Sequence, residues 1–97
     1  MFVVHKVLKG ETLSQIAREK HTTTSKIKKL NGISSTQEGE RLLIEVLEGT
    51  PYTVKPFDSL SKIASRFNIS EQSICEINGI TEVFVGEVII VTTNQNS

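Results

Sequence analysis

The sequence predicts an α+β protein made of two tandem copies of one small βααβ module. The first observation is an internal repeat, because an offset of 47 positions aligns residues 5–45 with residues 52–92 without a gap. The second is the order of patterns in each copy: a β-branched segment, two segments with helix-capping residues, and another β-branched segment. We expect each module to form a two-stranded antiparallel sheet with two helices packed on one face.

The aligned copies agree where a shared core and shared turns require it, which indicates one fold used twice. The identical pairs are Val7/Val54, Leu13/Leu60, Ser14/Ser61, Ile16/Ile63, Ala17/Ala64, Ile27/Ile74, Asn31/Asn78, Gly32/Gly79, Ile33/Ile80, Gly39/Gly86 and Glu40/Glu87. The predicted core of the second module is the set 47 positions after the predicted core of the first, which is Leu13, Ile16, Ala17, Ile27, Leu30 and Leu42.

Strand patterns set the predicted boundaries. The strands are expected at residues 3–8 and 41–46 in the first copy, and at 52–55 and 88–92 in the second. A short segment with Gly and Pro lies between the copies and is typical of a linker. The predicted organisation is a first module at 1–46, a linker at 47–51, a second module at 52–92 and a polar tail at 93–97.

Polar residues mark the expected helix ends. Thr12 and Gln15 have the spacing of a capping box, whereas Ser59 is a cap without a Glu or Gln three residues later. Thr23 and Ser70 are expected to cap the second helices. Those helices are expected to end at Asn31-Gly32 and Asn78-Gly79, because Gly tolerates the left-handed conformation after a helix.

Charge balance and cysteine content exclude several classes of function. The 97 residues include eleven Lys and Arg and eleven Asp and Glu, so no strong field would attract the chain to nucleic acid. No apolar run is long enough for membrane insertion. The single cysteine, Cys75, can form neither an intrachain disulfide nor paired thiol ligands for zinc, and no metal site is expected.

The first residues lack the pattern of a signal peptide, which leaves the localisation unknown. Three expectations stay open: a cytoplasmic chain, a chain that reaches a cell wall or spore surface by another route, or a piece of a longer protein.

Four ordered segments of the second copy, residues 52–64, 66–70, 76–80 and 85–87, carry a known pattern. The first copy carries it at residues 7–17, 29–33 and 38–42. Together these segments resemble LysM domains over nearly the whole chain. The resemblance implies a βααβ fold, no cofactor, and binding of glycans with N-acetylglucosamine units, namely peptidoglycan or chitin oligosaccharides.

The resemblance also implies a glycan groove between two loops of each module, one after the first strand and one before the last. By position, the implied residues are Gly10, Glu11, Thr12, Leu13, Asn31, Gly32, Ile33 and Ser34 in the first module, and Phe57, Asp58, Ser59, Leu60, Asn78, Gly79, Ile80 and Thr81 in the second.

The chemistry of an N-acetyl group suits such loops, because backbone groups can bind its donor and its acceptor. The methyl group and the apolar sugar face then need a small hydrophobic floor. Leu13 with Ile33, or Leu60 with Ile80, can supply it.

Phe57 replaces the turn glycine Gly10 and has two interpretations. Its ring either stacks on a sugar or, as we favour, packs against a neighbouring loop or the first module. A positive φ at this turn would strain Phe57 and make the second module the weaker binder.

Several polar residues also have two interpretations. Asn31 and Asn78 either contact the glycan or, as we favour, serve the helix end. Glu11 and Asp58 either bind a glycan hydroxyl or interact with the dipole of the following helix. Both histidines are predicted to lie on the surface, Cys75 to be a partly exposed thiol, and the lysines of the second helix to form a solvated face.

The leading functional hypothesis is a non-catalytic glycan-binding module. The alternative is a structural or interaction protein that binds envelope or spore-coat proteins or acts in phage-tail assembly, which the missing signal peptide favours. An enzyme would need a paired-carboxylate or nucleophile constellation, and neither copy has one.

Overall fold

The computed structural model describes residues 1–92, and the predicted tail at 93–97 lies outside them. It confirms the α+β class and the βααβ order of both modules. The elements are β1 (Phe2–Lys6), α1 (Leu13–Lys20), α2 (Thr24–Asn31), β2 (Arg41–Glu45), β3 (Thr50–Thr53), α3 (Leu60–Phe67), α4 (Glu71–Asn78) and β4 (Val88–Val91). The helices described within residues 1–92 have 8 residues each, too few to span a bilayer.

Each module has its own two-stranded antiparallel sheet. β1 pairs with β2, with Val4 opposite Leu43, and β3 pairs with β4, with Pro51 opposite Ile90. The strand predicted at 52–55 begins earlier, at Thr50, because Thr50 and Pro51 of the predicted linker already pair with β4.

The predicted helix caps are confirmed. Thr12 and Gln15 form both bonds of a capping box, and Ser59 accepts a bond from the Lys62 amide. Thr23 and Ser70 cap α2 and α4 in the same way. Each second helix ends at a left-handed glycine, with φ 64° at Gly32 and 66° at Gly79.

The core agrees with the prediction except at four residues. Ile16, Ala17, Ile27 and Leu42 are buried, as are their partners Ile63, Ala64, Ile74 and Ile89. Leu13 and Leu60 are only partly buried, as is Ile77, and Leu30 is 41% exposed. The prediction for Leu30 is wrong because α2 turns Thr24, Ile27 and Asn31 towards the sheet, which directs position 30 to solvent.

The second sheet packs on the first module. Val88 belongs to the core cluster of the first module, and Ile90 on the same face of β4 is fully buried. Arg18 of α1 donates to Thr53 of β3 over 2.8 Å. Consequently all four residues of β4 are buried, whereas β2 alternates between buried and exposed residues.

Gly49 lets the chain pass close to β4. Its φ is 125°, and a Cβ there would lie 2.6 Å from Cγ2 of Ile90 and 2.8 Å from the Val91 carbonyl oxygen. A larger residue would therefore separate the linker from the second sheet.

Candidate functional site

The loop between β1 and α1 is closed by Glu11. Its Oε1 accepts from the Leu8 amide and from Nε2 of His5, both over 2.8 Å. These bonds, the Leu8 amide first and then His5, hold the pKa of Glu11 below its usual range. The prediction that His5 is a surface residue is wrong, since its side chain is 11% exposed and faces this carboxylate.

The equivalent loop of the second module is closed by Asp58. Its Oδ2 accepts from the Tyr52 hydroxyl over 2.5 Å and from the Lys55 amide over 2.8 Å, and its Oδ1 accepts from Arg66 over 3.2 Å. The Tyr52 hydroxyl bond and the Lys55 amide lower the pKa of Asp58 to about 2. Both carboxylates therefore stabilise the conformation of their own loops. Neither of the two interpretations drawn from the sequence included this role.

The two asparagines connect the second helix of each module to its last strand. Asn31 donates to the Ile27 and Leu43 carbonyls, each over 2.9 Å, and accepts from the Leu43 amide over 2.8 Å. Asn78 makes the equivalent three bonds to Ile74 and Ile90. Asn78 as a whole residue is only 1% exposed. Because each asparagine side chain bonds both its helix and the last strand, it fixes the position of the loop that joins them.

A groove of about 570 Å³ lies beside the first module. This volume is within the range of about 300–1,000 Å³ that small-ligand pockets occupy. Three segments form its walls: residues 11–14 after β1, residues 34–36 after α2, and residues 84–87 of the second module. Thr24 and Lys28 of α2 complete the lining.

The groove contains half of the residues implied for the first module. Glu11, Thr12, Leu13 and Ser34 line it. The other four lie outside its lining: Gly10 forms the exposed turn with φ 83°, Asn31 binds β2, Gly32 caps α2, and Ile33 packs on the core.

The equivalent loops of the second module have different surroundings. Gly79, Ile80 and Thr81 line a depression of about 340 Å³, but Ser25 and Lys29 of α2 in the first module form its opposite wall. None of residues 57–60 lines this depression or the first groove. Asp58 closes its loop, Ser59 caps α3 and Leu60 packs on the second core.

Phe57 is exposed rather than packed. Its side chain is 89% exposed, so the favoured interpretation that it packs against a loop or the first module is wrong. The expected positive φ is confirmed at 70°. A bulky residue in this region is strained, and the same turn in the first module uses Gly10.

Part of the groove was not predicted from the sequence. Lys28 was expected on a solvated helix face, and no role was predicted for Phe84 and Val85, which are 60% and 64% exposed. A signal was present, because the equivalent residues of the first copy are Gln37 and Glu38. Two apolar residues at a turn that is polar in the other copy can mark a binding surface.

Among residues 1–92, no three His, Cys, Asp or Glu side chains cluster in a way that could hold a metal ion. Cys75 is half-buried with a free thiol, as predicted.

Comparison with known proteins gives one family and consistent relatives. Residues 5–44 and 52–92 each match the LysM domain. The N-acetylmuramoyl-L-alanine amidase sle1 of Staphylococcus epidermidis is 35% identical over 98 residues, covering 84% of this chain and 30% of the amidase. The enzyme of the same name from Staphylococcus saprophyticus is 36% identical over 92 residues, covering 77% of this chain and 28% of the amidase.

A solved structure shows the same fold. The Bacillus megaterium spore cortex-lytic enzyme SleL aligns with 96% of this chain and 23% of its own, with a TM-score of 0.51 and 24% identity. The chain thus spans under a third of the length of the relatives it matches.

Proposed function

The chain belongs to the LysM domain family, which matches both of its repeats, and on that premise we propose that it binds peptidoglycan-type glycans without cleaving them. The observation that carries the proposal is the groove of the first module. Its walls offer the hydroxyls of Ser34 and Ser35 together with the apolar side chain of Leu13. An N-acetylated sugar presents hydrogen-bonding groups beside a methyl group and an apolar ring face, which such a mixed lining complements.

Lys28 supports peptidoglycan over chitin as the ligand. It lines the groove, and within the described residues no carboxylate lies at salt-bridge distance from it. Chitin is neutral, whereas the peptide stems of peptidoglycan carry carboxylates that an ammonium group attracts. The relatives are named for N-acetylmuramoyl-L-alanine, a unit of that chemistry.

The loop carboxylates support binding without hydrolysis. A glycosidase needs a general acid that stays protonated near neutral pH. The pKa of Glu11 is lowered and that of Asp58 is about 2, so both are ionised and unable to donate a proton there. We therefore expect labelled chitooligosaccharides and muropeptides to stay intact during incubation with the pure protein.

A backbone NMR titration tests the proposed function. N-acetylglucosamine dimers and muropeptides should shift the amides of residues 11–14 and 34–36 more than those of residues 57–60. The reason is that the first two segments border the groove of the first module, whereas the third borders neither depression. If no glycan shifts any of these amides, the proposal fails and the protein-interaction hypothesis gains support.

Lys28→Gln separates the two ligand classes. Loss of an exposed charge pair costs about 0.2–1 kcal/mol, so the affinity for muropeptides with free carboxylates should fall by a factor of about 1.4 to 5. The affinity for chitin oligomers of the same length should hold. Lys26→Gln is the matched control, because Lys26 lies on the same helix outside the groove lining. Equal losses for both ligands would contradict a role in selecting peptidoglycan.

A further inference from the structure

The groove of the first module and the depression of the second module adjoin each other. Phe84 and Glu87 line both of them. Helix α2 also borders both, with Thr24 and Lys28 on the first and Ser25 and Lys29 on the second. A continuous surface therefore runs from the β1–α1 loop of the first module, past Phe84, to the α4–β4 loop of the second.

The position of Phe84 relative to the first module is fixed by the packing of the modules. Ser14 donates to the Gly86 carbonyl over 3.1 Å, and Val88, two residues further on, is buried in the first core. Within the turn, Glu87 accepts from the Phe84 amide over 3.2 Å and its own amide donates to the Phe84 carbonyl over 3.1 Å. The ring is thus attached to a rigid turn, which lowers the entropy cost of binding.

The exposure of Phe84 has no structural explanation within the fold, since the first module forms the same turn with Gln37. An aromatic face packs well against the C–H face of a pyranose ring, because the face is electron-rich and the C–H groups are weakly positive. A ring between two depressions with polar rims is suited to hold one sugar of a chain while its neighbours occupy either side.

We propose that one glycan strand of linked N-acetylhexosamine units crosses both modules, with Phe84 as the shared apolar platform between the two depressions. This inference rests on the proposed function. It assigns the second module a part in a joint site, through residues 79–82 and 84–87, instead of a separate groove at residues 57–60. Longer oligomers must then bind more tightly than short ones, because only they reach both depressions.

The test measures calorimetric affinities for N-acetylglucosamine oligomers from dimer to hexamer. In the parent protein the affinity should rise with length. In Phe84→Gln, which restores the residue of the first copy, the hexamer affinity should fall about tenfold, as expected for the loss of an aromatic contact, and most of the length dependence should disappear. Phe57→Gln is the matched control, since Phe57 is more exposed than Phe84 but lines neither depression.

NMR gives an independent readout. The hexamer should shift the amides of residues 79–82 in addition to those of residues 11–14 and 34–36, whereas the dimer should leave residues 79–82 unchanged. Equal hexamer affinity in Phe84→Gln and the parent, or hexamer shifts confined to the first groove, would overturn the joint site and leave the proposed function intact. Absence of binding by any oligomer or muropeptide would instead remove the proposed function and this inference with it.

Because Phe84 is 60% exposed, its replacement should leave the fold intact. An unchanged amide spectrum outside residues 82–88 verifies this for the variant. If Phe84→Gln disturbs the turn, Phe84→Leu keeps an apolar side chain without the aromatic face, and its hexamer affinity should also fall below that of the parent.

Discussion

The two modules have equivalent core residues but differ in what packs against the outer faces of their sheets. Leu43 of β2 and Ile90 of β4 occupy equivalent positions on the outer faces, yet Leu43 is 40% exposed and Ile90 is fully buried. The difference arises because α1 of the first module packs on the second sheet, whereas the outer face of the first sheet has no such cover in residues 1–92. The same fold therefore has two different environments, and equivalent residues contribute differently to the free energy of unfolding.

The loops show the same divergence. Glu11 is bonded by a histidine, whereas Asp58 is bonded by Tyr52 and Arg66. Arg66 also lies over the Tyr52 ring, 5.6 Å from its centroid. The carboxylate of the second loop thus has more side-chain partners than that of the first loop, although the turn of the second loop contains a strained Phe57.

Truncation of a side chain on the outer face of each sheet should change stability most, and by different amounts in the two modules. Ile90→Ala should lower the free energy of unfolding by about 2–5 kcal/mol, because it leaves a cavity between the modules. Leu43→Ala is the matched variant and should cost less than about 1 kcal/mol, since that side chain already contacts solvent. Urea denaturation measures both. Similar costs at the two positions would contradict the packing of the first module on the second sheet.

The turns give the next effect. Gly10→Ala should cost about 1–2 kcal/mol, because φ is 83° and the penalty is conformational, with no atom within 4 Å of the added Cβ. Phe57→Gly should leave stability unchanged or raise it by up to about 1 kcal/mol, since it relieves the strain but adds chain entropy to the unfolded state. Thermal melts check both. Destabilisation by Phe57→Gly would show that the exposed ring makes stabilising contacts.

The third comparison concerns the buried hydroxyl of Thr22. Thr22 is fully buried and its Oγ1 has no hydrogen-bond partner within the described part of the chain, whereas the second module has Ile69 at the same position. Thr22→Val removes the unpaired hydroxyl at nearly constant shape and should raise the free energy of unfolding by about 1 kcal/mol. Thr36→Val, which loses a hydroxyl bonded to Glu40, is the control and should not stabilise. A lower melting temperature for Thr22→Val would indicate that the hydroxyl is hydrogen-bonded.

The smallest effect concerns the pKa of Asp58 and the stability of the protein at low pH. The folded pKa of Asp58 is about 2 and its ordinary value is 3.8, so Asp58 contributes stability above the ordinary value and loses it as the pH falls through about 2. Tyr52→Phe removes the largest cause of the shift, while the ring can keep its edge-on contact with Phe67 at 5.3 Å. Carboxyl NMR titration should then show the pKa of Asp58 rising towards 3.8. An unchanged pKa would mean that the Lys55 amide and Arg66 are sufficient.

Local signals in the sequence were enough to predict the module. The caps at Thr12 and Ser59 and the Asn-Gly helix ends depend on neighbouring residues, so single-sequence patterns specify them. The repeat then placed the same elements twice. The prediction was wrong at Leu30 because a helix of eight residues has too few apolar positions to fix its rotation, which the bonds from Asn31 to β2 decide.

Residues close together in the chain, together with the repeat, specify the family, the βααβ order and the loops that border the first groove. Three contacts depend on tertiary packing: the bond of His5 to Glu11, the packing of α1 on the second sheet, and the position of Phe84 at the groove of the first module. These contacts join residues whose spacing carries no pattern, such as Ser14 and Gly86, 72 positions apart. Side-chain packing between the modules specifies them, and it exists only once both modules have folded.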